Sequence, residues 1–381
     1  MVRCAGANME TVRRKNRAAI LKYINDGGPA SRKDLAGVLG LTPAAVTQIC
    51  TDLMEEGVLA ETGINVERSG AGRKKVLLDL NYDAAYVYAI NVEPQYTTVA
   101  ISNLKGEKIA LERIGTNPDI PAEEYLMQIA KLCRKLGEKY PNEAAKIAAV
   151  GVGVTGIVDK QNGISKRAYG IWDGEVNIVQ ILGGAFTVPI YVENNVNAFA
   201  MAELLYGTGR EHDNLMVIKW GPGVGCSIII DQEIYEGRHS KAAELGHFIV
   251  EKNGERCKCG RCGCLETKVS YQALCKIELF EEKEFGEVYR KSKGKPARVA
   301  FDEAIDVFAR SIINSATIMA PNRIILTGVL FEDESVRYAL TTACAGYDES
   351  WGEGRVLYSA LADRESYIGP AAVCAKQLLF S

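Results

Sequence analysis

The chain has 381 residues, 47% hydrophobic and 24% charged, with a formal net charge of −3. These are ordinary values for a globular protein large enough for roughly two or three domains with buried cores. No apolar run reaches about 18 residues, which excludes a transmembrane helix, and the basic N-terminus lacks the apolar segment of a secretory signal.

Charge is unevenly divided along the chain. Residues 1–75 hold 12 Lys and Arg against 8 Asp and Glu, leaving 33 against 40 in the remainder. A basic module on an acidic body points to a polyanionic partner for the N-terminal part. The expected compartment is the cytoplasm, where the eleven cysteines read as reduced thiols plus a metal site.

Residues 1–80 fit a winged helix-turn-helix. Ile20, Leu21 and Ile24 share one face of a first helix, which stops at Gly27, Gly28 and Pro29. Ser31 opens a capping box with Asp34 and starts a second helix with Leu35, Val38 and Leu39 on its inner side. Gly40 and Leu41 make the turn. Thr42 as N-cap and Pro43 in the first position begin a third helix that turns Val46, Ile49 and Leu53 inward. Two short helices joined in this way match the geometry in which the second enters the DNA major groove.

The expected DNA-facing set is Ser31, Arg32, Thr42, Ala44, Ala45, Thr47, Gln48 and Thr51. Gln48 suits a bidentate pair with adenine, and the small residues allow close approach. Gly57, Val58 and Leu59 start a hairpin whose wing or linker ends in Arg73, Lys74 and Lys75, cations suited to phosphate contact or minor-groove entry. A helical hairpin serving only protein contacts is the alternative, and the basic wing at the expected place weighs against it. Readout of two half-sites predicts at least a homodimer on double-stranded DNA.

From Tyr86 the pattern becomes α/β. Tyr86–Asn91, Thr97–Ser102 and Lys108–Ile114 read as strands, Pro121–Tyr140 as a helix, Ile147–Val154 and Pro189–Glu193 as strands, with a helix running on to Leu205. Leu215–Trp220 and Cys226–Asp231 read as strands, residues 302–319 as a helix, and Arg323–Thr327 as a strand. Two rounds of this pattern predict two related lobes with a cleft between them. The expected bounds are 81–198 and 199–367, with a C-terminal helix opening near Pro370, within 368–381, returning to the first lobe.

The most specific stretch is Glu244-Leu-Gly-His247 followed by Cys257-Lys-Cys259-Gly-Arg-Cys262-Gly-Cys264-Leu-Glu266. Four cysteines within eight residues, with a histidine upstream and glycines at 260 and 263, suit a closed tetrahedral Zn2+ site. His247, Cys257, Cys259 and Cys264 are the chosen ligands. An all-cysteine site using Cys262 and freeing His247 is the second choice, ahead of a disulfide or free thiols. A metal-locked loop fixes the flanking Glu244 and Glu266 before a polyhydroxylated ligand arrives.

This long motif is similar to the signature of the ROK family, which groups bacterial repressors, open reading frames and sugar kinases. Within the family the chain resembles the xylose-repressor and N-acetylglucosamine-repressor group. The resemblance implies an actin-like, ribonuclease-H-like two-lobed fold and a structural zinc shaping the floor of a sugar pocket. It also implies sugar contacts at Asn194, Asn195, Glu244, His247 and Glu266, with Gly156 in an adjoining loop. Trp172 is an aromatic candidate for stacking on a sugar face, with a place in the core as the commoner alternative for a lone tryptophan, and Tyr169 is a weaker candidate.

The chain departs from the family's kinases at four places. Where their motif Glu-Asn-Asp-x-Asn-Ala supplies the general base, this sequence has Asn195, and a carboxamide cannot take the sugar hydroxyl's proton. Their first phosphate turn, Asp-x-Gly-Gly-Thr, is Asn91-Val92-Glu93-Pro94-Gln95 here, which puts a carboxylate where phosphate would lie and removes an N–H. The second turn is Gly221-Pro222-Gly223-Val224-Gly225, and the glycine-rich strand end is reduced to Thr327-Gly328-Val329. The expectation is a non-catalytic, sugar-responsive DNA-binding regulator, a repressor, with a monosaccharide or derivative as effector. The alternatives are an ATP-dependent sugar kinase fused to a DNA-binding domain and a repressor governed by a protein partner.

Overall fold

The computed structural model describes residues 9–65, 75–238, 242–352 and 354–381. The N-terminal module consists of α1 (Met9–Gly27), α2 (Arg32–Leu39) and α3 (Pro43–Glu55), with a three-stranded sheet. In that sheet β3 (Lys75–Leu80) lies between β1 (Ala30–Ser31) and β2 (Leu59–Asn65). The expected wing residues Arg73 and Lys74 lie outside the described residues, and Lys75 is the first residue of β3.

Local chemistry accounts for the helix ends. The Ser31 hydroxyl accepts the Asp34 N–H at 3.3 Å, and the Thr42 hydroxyl accepts the Ala45 N–H at 3.3 Å. Between them Gly40 takes a left-handed φ of 65°, closing α2 and freeing the chain to turn. Ile20, Leu21, Ile24, Leu35, Val46, Ile49 and Leu53 form one buried cluster. Val38 is a correction. The inner face of α2 is built from Leu35, with Ala36 and Leu39 packed beside it, and this turns Val38 outward to 63% exposure.

The body contains two five-stranded sheets of identical topology. In the first, β4 (Tyr86–Val92) pairs antiparallel with β5 (Tyr96–Asn103), which pairs antiparallel with β6 (Lys108–Gly115). On its other side β4 pairs parallel with β7 (Ile147–Val154), which is followed outward by parallel Ile190–Asn194. The second sheet repeats this order with Leu215–Trp220 at its centre. Val224–Ile230 and Glu233–Ile234 lie antiparallel on one side, and Arg323–Thr327 and Val356–Tyr358 lie parallel on the other. A small sheet of Ile157–Asp159, Ile164–Arg167 and Val176–Asn177 follows β7.

Alternation along β4 explains how both faces of the first sheet are used. Tyr86, Tyr88, Ile90 and Val92 join the core beneath helix α4 (Ala122–Lys139), whereas Val87 and Ala89 face the C-terminal helix, Glu365–Leu379. That helix starts earlier than its proline suggests, with Pro370 inside it. Pro370 forfeits one N–H bond, and burial of residues 367–375 against the first sheet and the helix Asn195–Tyr206 outweighs the loss. The long second-lobe helix likewise begins earlier than expected, at Pro296 in place of residue 302, and runs to Met319. Among the described residues, no helix is long and apolar enough to cross a membrane.

Candidate functional site

A cleft lies between the lobes, with about 1040 Å³ of empty space counting the solvent at its open mouth. Its lining includes all six residues assigned to sugar contact by resemblance: Gly156, Asn194, Asn195, Glu244, His247 and Glu266. Three local constructions define its walls.

The first is the thiol group at the floor. His247 ends a short 3-10 turn, Leu245–His247, and the cysteine loop folds back beneath it. The His247 Nδ1 lies 3.6 Å from Cys257 Sγ, and Cys259 Sγ lies 3.6 Å from Cys264 Sγ. The four ligand atoms stand within 4.8 Å of one another. Zn–S and Zn–N bonds of about 2.3 and 2.0 Å in a tetrahedron require edges of about 3.8 and 3.6 Å, so this group fits a metal ion of zinc's size and ligand preference. Cys262 is exposed and stands outside the group. Burial lowers the pKa of His247 and so favours the neutral imidazole a metal requires. Burial opposes ionisation of Cys259, but hydrogen bonds from the side chain and backbone of Arg261 bring its thiol to about 7.

His247 directs its Nε2 toward Glu244, 3.7 Å from Oε2, so the two ring nitrogens serve the metal group and the cleft separately. Tyr169 lies edge-on to the His247 ring with centroids 6.2 Å apart, between Arg167 at 4.8 Å and Lys258 at 5.5 Å from its own ring. Lys258 also pairs with Glu266 at 2.9 Å, and the other Glu266 oxygen accepts the Val224 N–H at 3.3 Å. An amide of the second phosphate-type turn is thus engaged by a carboxylate. Trp172 is buried, with its indole N–H on Ser165 Oγ at 3.2 Å, so it belongs to the core beside the cleft.

The second construction is the start of helix Asn195–Tyr206, here termed the cleft helix. The Asn194 side chain caps it, accepting the N–H groups of Val196 and Asn197 at 2.9 and 3.1 Å and donating to the Gly156 carbonyl at 2.7 Å. Gly156 has φ +105°, and a Cβ there would stand 2.0 Å from the Arg167 carbonyl oxygen, so only glycine fits. Glu193, just before the cap, is buried; desolvation raises its pKa, against the opposing pull of Lys160 at 3.9 Å.

The third construction is an ion network at the opposite end. Glu93, 8% exposed, contacts the Lys219 ammonium, which also pairs with Glu365 at 2.6 Å. The amides of Asn195 and Asn91 donate to Glu93 at 3.0 and 3.2 Å, and the Thr327 hydroxyl donates to Glu365 at 2.5 Å. Burial works against the Glu93 charge, but the Lys219 charge and these hydrogen bonds hold its pKa below the usual range. The carboxylate expected in the first phosphate turn is therefore ion-paired, and Lys219 is shared between it and Glu365. Glu282 adds a carboxyl beside Gly221, its pKa raised by burial. Sequence reasoning missed Lys219, although a lone cation in the apolar strand Leu215–Trp220 is a legible signal. Glu365 offers no such signal.

On the N-terminal module, Thr42, Ala44, Thr47, Gln48 and Thr51 are exposed along α3, and Ala45 is half-buried. The Thr47 and Thr51 hydroxyls donate to carbonyls one turn earlier, and Gln48 donates to Asp52 at 2.9 Å. Ser31 leaves the DNA-facing set, because it is 4% exposed and its hydroxyl is committed to Asp34. Arg32 is half-buried, with one guanidinium nitrogen 3.2 Å from Met54 Sδ.

Residues 87–377 match the ROK family, and residues 13–60 match a winged helix-turn-helix DNA-binding family. A putative xylose repressor from Caldicellulosiruptor sp. (strain Rt8B.4) is 26% identical over 397 residues, spanning 98% of each chain. In structure, the chain matches a ROK-family transcriptional regulator homologous to the E. coli MLC protein, with a TM-score of 0.81, 23% identity and 97% of each chain covered. It also matches a ROK-family glucokinase from Streptomyces griseus in complex with glucose and AMPPNP, with a TM-score of 0.63 and 24% identity over 77% of this chain and 100% of that one. The two structural likenesses establish the fold.

Proposed function

The chain belongs to the ROK family, and on that premise we propose a repressor whose operator binding answers to a monosaccharide held in the cleft. The observation that carries the non-enzymatic part is the bond from Asn195 to Glu93 and, through Glu93, to Lys219. The position of the kinase base is a carboxamide already donating to a buried, ion-paired carboxylate. It has neither the basicity nor the freedom to take a proton from a sugar hydroxyl. What it retains is hydrogen bonding, which is all that recognition needs.

In this reading residues 1–80 bind DNA through the exposed face of α3 and the wing cations, as at least a dimer. Residues 81–198 with the C-terminal helix, and residues 199–367, form the two lobes of a cytoplasmic sensor. Sugar hydroxyls meet Asn194, Asn195, Glu244, Glu266 and the Nε2 side of His247, near Gly156. Zinc, held by His247 Nδ1, Cys257, Cys259 and Cys264, supplies rigidity and no chemistry. The floor then presents its acceptors at low ordering cost.

The test uses an operator selected by the full chain from random DNA. Its affinity is measured with and without D-xylose, D-glucose and N-acetylglucosamine, alongside sugar-dependent ATP turnover. The expected outcome is operator affinity that one class of sugar changes, with no turnover above background. Steady phosphorylation of any sugar in the panel would overturn the non-enzymatic reading.

A further inference from the structure

A regulator of this design needs a physical connection from the cleft to the DNA-binding module, and the helix that begins at Asn195 touches both. The cleft helix begins at Asn195, beside the cap residue Asn194 in the cleft lining, and ends at Tyr206. Twelve residues at about 1.5 Å each carry it some 18 Å through the interior. Asn195, Val196 and all of residues 198–205 are buried. Its apolar surface is gripped by strands of the second sheet, through Leu215, Val217 and Ile325, and by Ile368 and Ala372 of the C-terminal helix. A close-packed helix of this kind transmits displacement as a rod, because interiors repack between discrete arrangements and do not deform smoothly.

At its far end the helix meets one polar residue of the N-terminal module. Asn25, near the end of α1, is 8% exposed, and its amide nitrogen donates to the Leu205 carbonyl at 2.9 Å. That carbonyl lies in the last turn, where helix carbonyls lack an internal partner. The Asn25 side-chain oxygen accepts the Tyr82 hydroxyl at 3.0 Å, and its backbone carbonyl accepts Arg210 at 3.4 Å. The Tyr206 hydroxyl donates to the Leu104 carbonyl at 2.7 Å, and the Leu104 N–H donates to the Tyr82 carbonyl at 3.0 Å. A buried carboxamide satisfied on both ends specifies one orientation, whereas the surrounding apolar contacts can slide.

We propose that the cleft helix is the relay from effector to DNA, and that Asn25 is the positioning residue through which it sets the attitude of the winged module. The inference rests on the regulator reading above. Sugar engaging Asn194 and Asn195 acts on the first turn of the helix. The Leu205 carbonyl and Arg210 move with its last turn, and Asn25 transfers that movement to α1.

The test compares the full-length wild type with Asn25→Ala and Tyr82→Phe. It measures sugar affinity, operator affinity without sugar, and the fold-change in operator affinity at saturating D-xylose, D-glucose or N-acetylglucosamine. Both variants are expected to keep the first two within about twofold, while the sugar-induced change falls at least about fivefold, the lower end of usual coupling factors. Reciprocity adds a second readout, since operator DNA must lose its effect on sugar affinity by the same factor. A merely structural role for Asn25 would lower both affinities and leave the coupling intact, which would overturn the relay. Tyr82→Phe removes a single hydroxyl and keeps the question decidable where Asn25→Ala folds poorly. A responsive wild type with equally responsive variants overturns the relay alone. A wild type indifferent to every sugar overturns the regulator reading and the relay with it.

Discussion

At the scale of single residues, two positions separate the readings of the cleft. Asn195→Ala removes an amide from the cleft lining and, on the proposed reading, should weaken sugar affinity by about 1–3 kcal/mol if its partner is left buried and unpaired. Isothermal titration against the effector measures this, and an unchanged affinity would move the pocket away from the cleft helix. Asn195→Asp introduces a carboxylate where the proposed reading puts the lost kinase base, but it stands beside Glu93, whose oxygen is 3.0 Å from the present amide. Like charges at that distance force one carboxyl to keep its proton, so the variant should show no sugar-dependent ATP turnover. The thiol group gives the other comparison. Cys259→Ser should lose bound zinc, while Cys262→Ser, altering an exposed residue outside the group, should retain it. Metal analysis of the two purified proteins decides between the mixed and all-cysteine sites.

Single elements carry the electrostatics. The strand Leu215–Trp220 brings Lys219 between Glu93 and Glu365, and removing it as Lys219→Met strands a buried carboxylate at a cost of about 3–5 kcal/mol near neutral pH. The sign of its pH dependence follows from the same contacts. In the wild type the Glu93 pKa lies below its unfolded value, so its stabilisation holds above that value and fades only as pH falls through the folded one. Without Lys219, desolvation dominates and Glu93 prefers its proton, so the deficit of the variant should shrink as pH falls from 8 toward 5. Thermal melts across that range test it, and a constant deficit would mean Glu93 has found another partner. On the DNA side, Gln48→Ala on α3 should relax preference at one base position. Arg73→Ala or Lys74→Ala should weaken binding to all sequences and reduce the salt slope by about one unit each. An unchanged slope would place the phosphate contacts elsewhere.

For the molecule as a whole, the two lobes are joined at both ends of the cleft. Lys219 ties the second sheet to Glu93 of the first lobe, and Lys160 contacts Glu236 across the opposite rim. The thiol group sits in the second lobe, beneath Leu245 and Leu265 of its core. Removing zinc with a chelator should therefore lower the melting temperature and weaken sugar binding together, because the core and the floor of the pocket share one loop. If chelation removes the metal and leaves both quantities unchanged, zinc has no structural part here. Both effects should reverse on adding zinc back, since the apo thiols have no other way to close the tetrahedron.

Much of this was legible from the sequence because the signals are local. Caps at Ser31 and Thr42, the turn at Gly40, strand alternation from Tyr86 and the spacing of His247, Cys257, Cys259 and Cys264 each depend on neighbours a few residues away. Periodicity and turn chemistry report such neighbours directly. Tertiary structure decided what distant segments do to one another. It set Lys219 between Glu93 and Glu365, carried the C-terminal helix through Pro370 and set Asn25 against the end of the cleft helix. No local pattern encodes these outcomes. Each depends on the burial of one segment by another far away in the chain, and burial fixes whether a charge is paired, a proline tolerated or an amide satisfied.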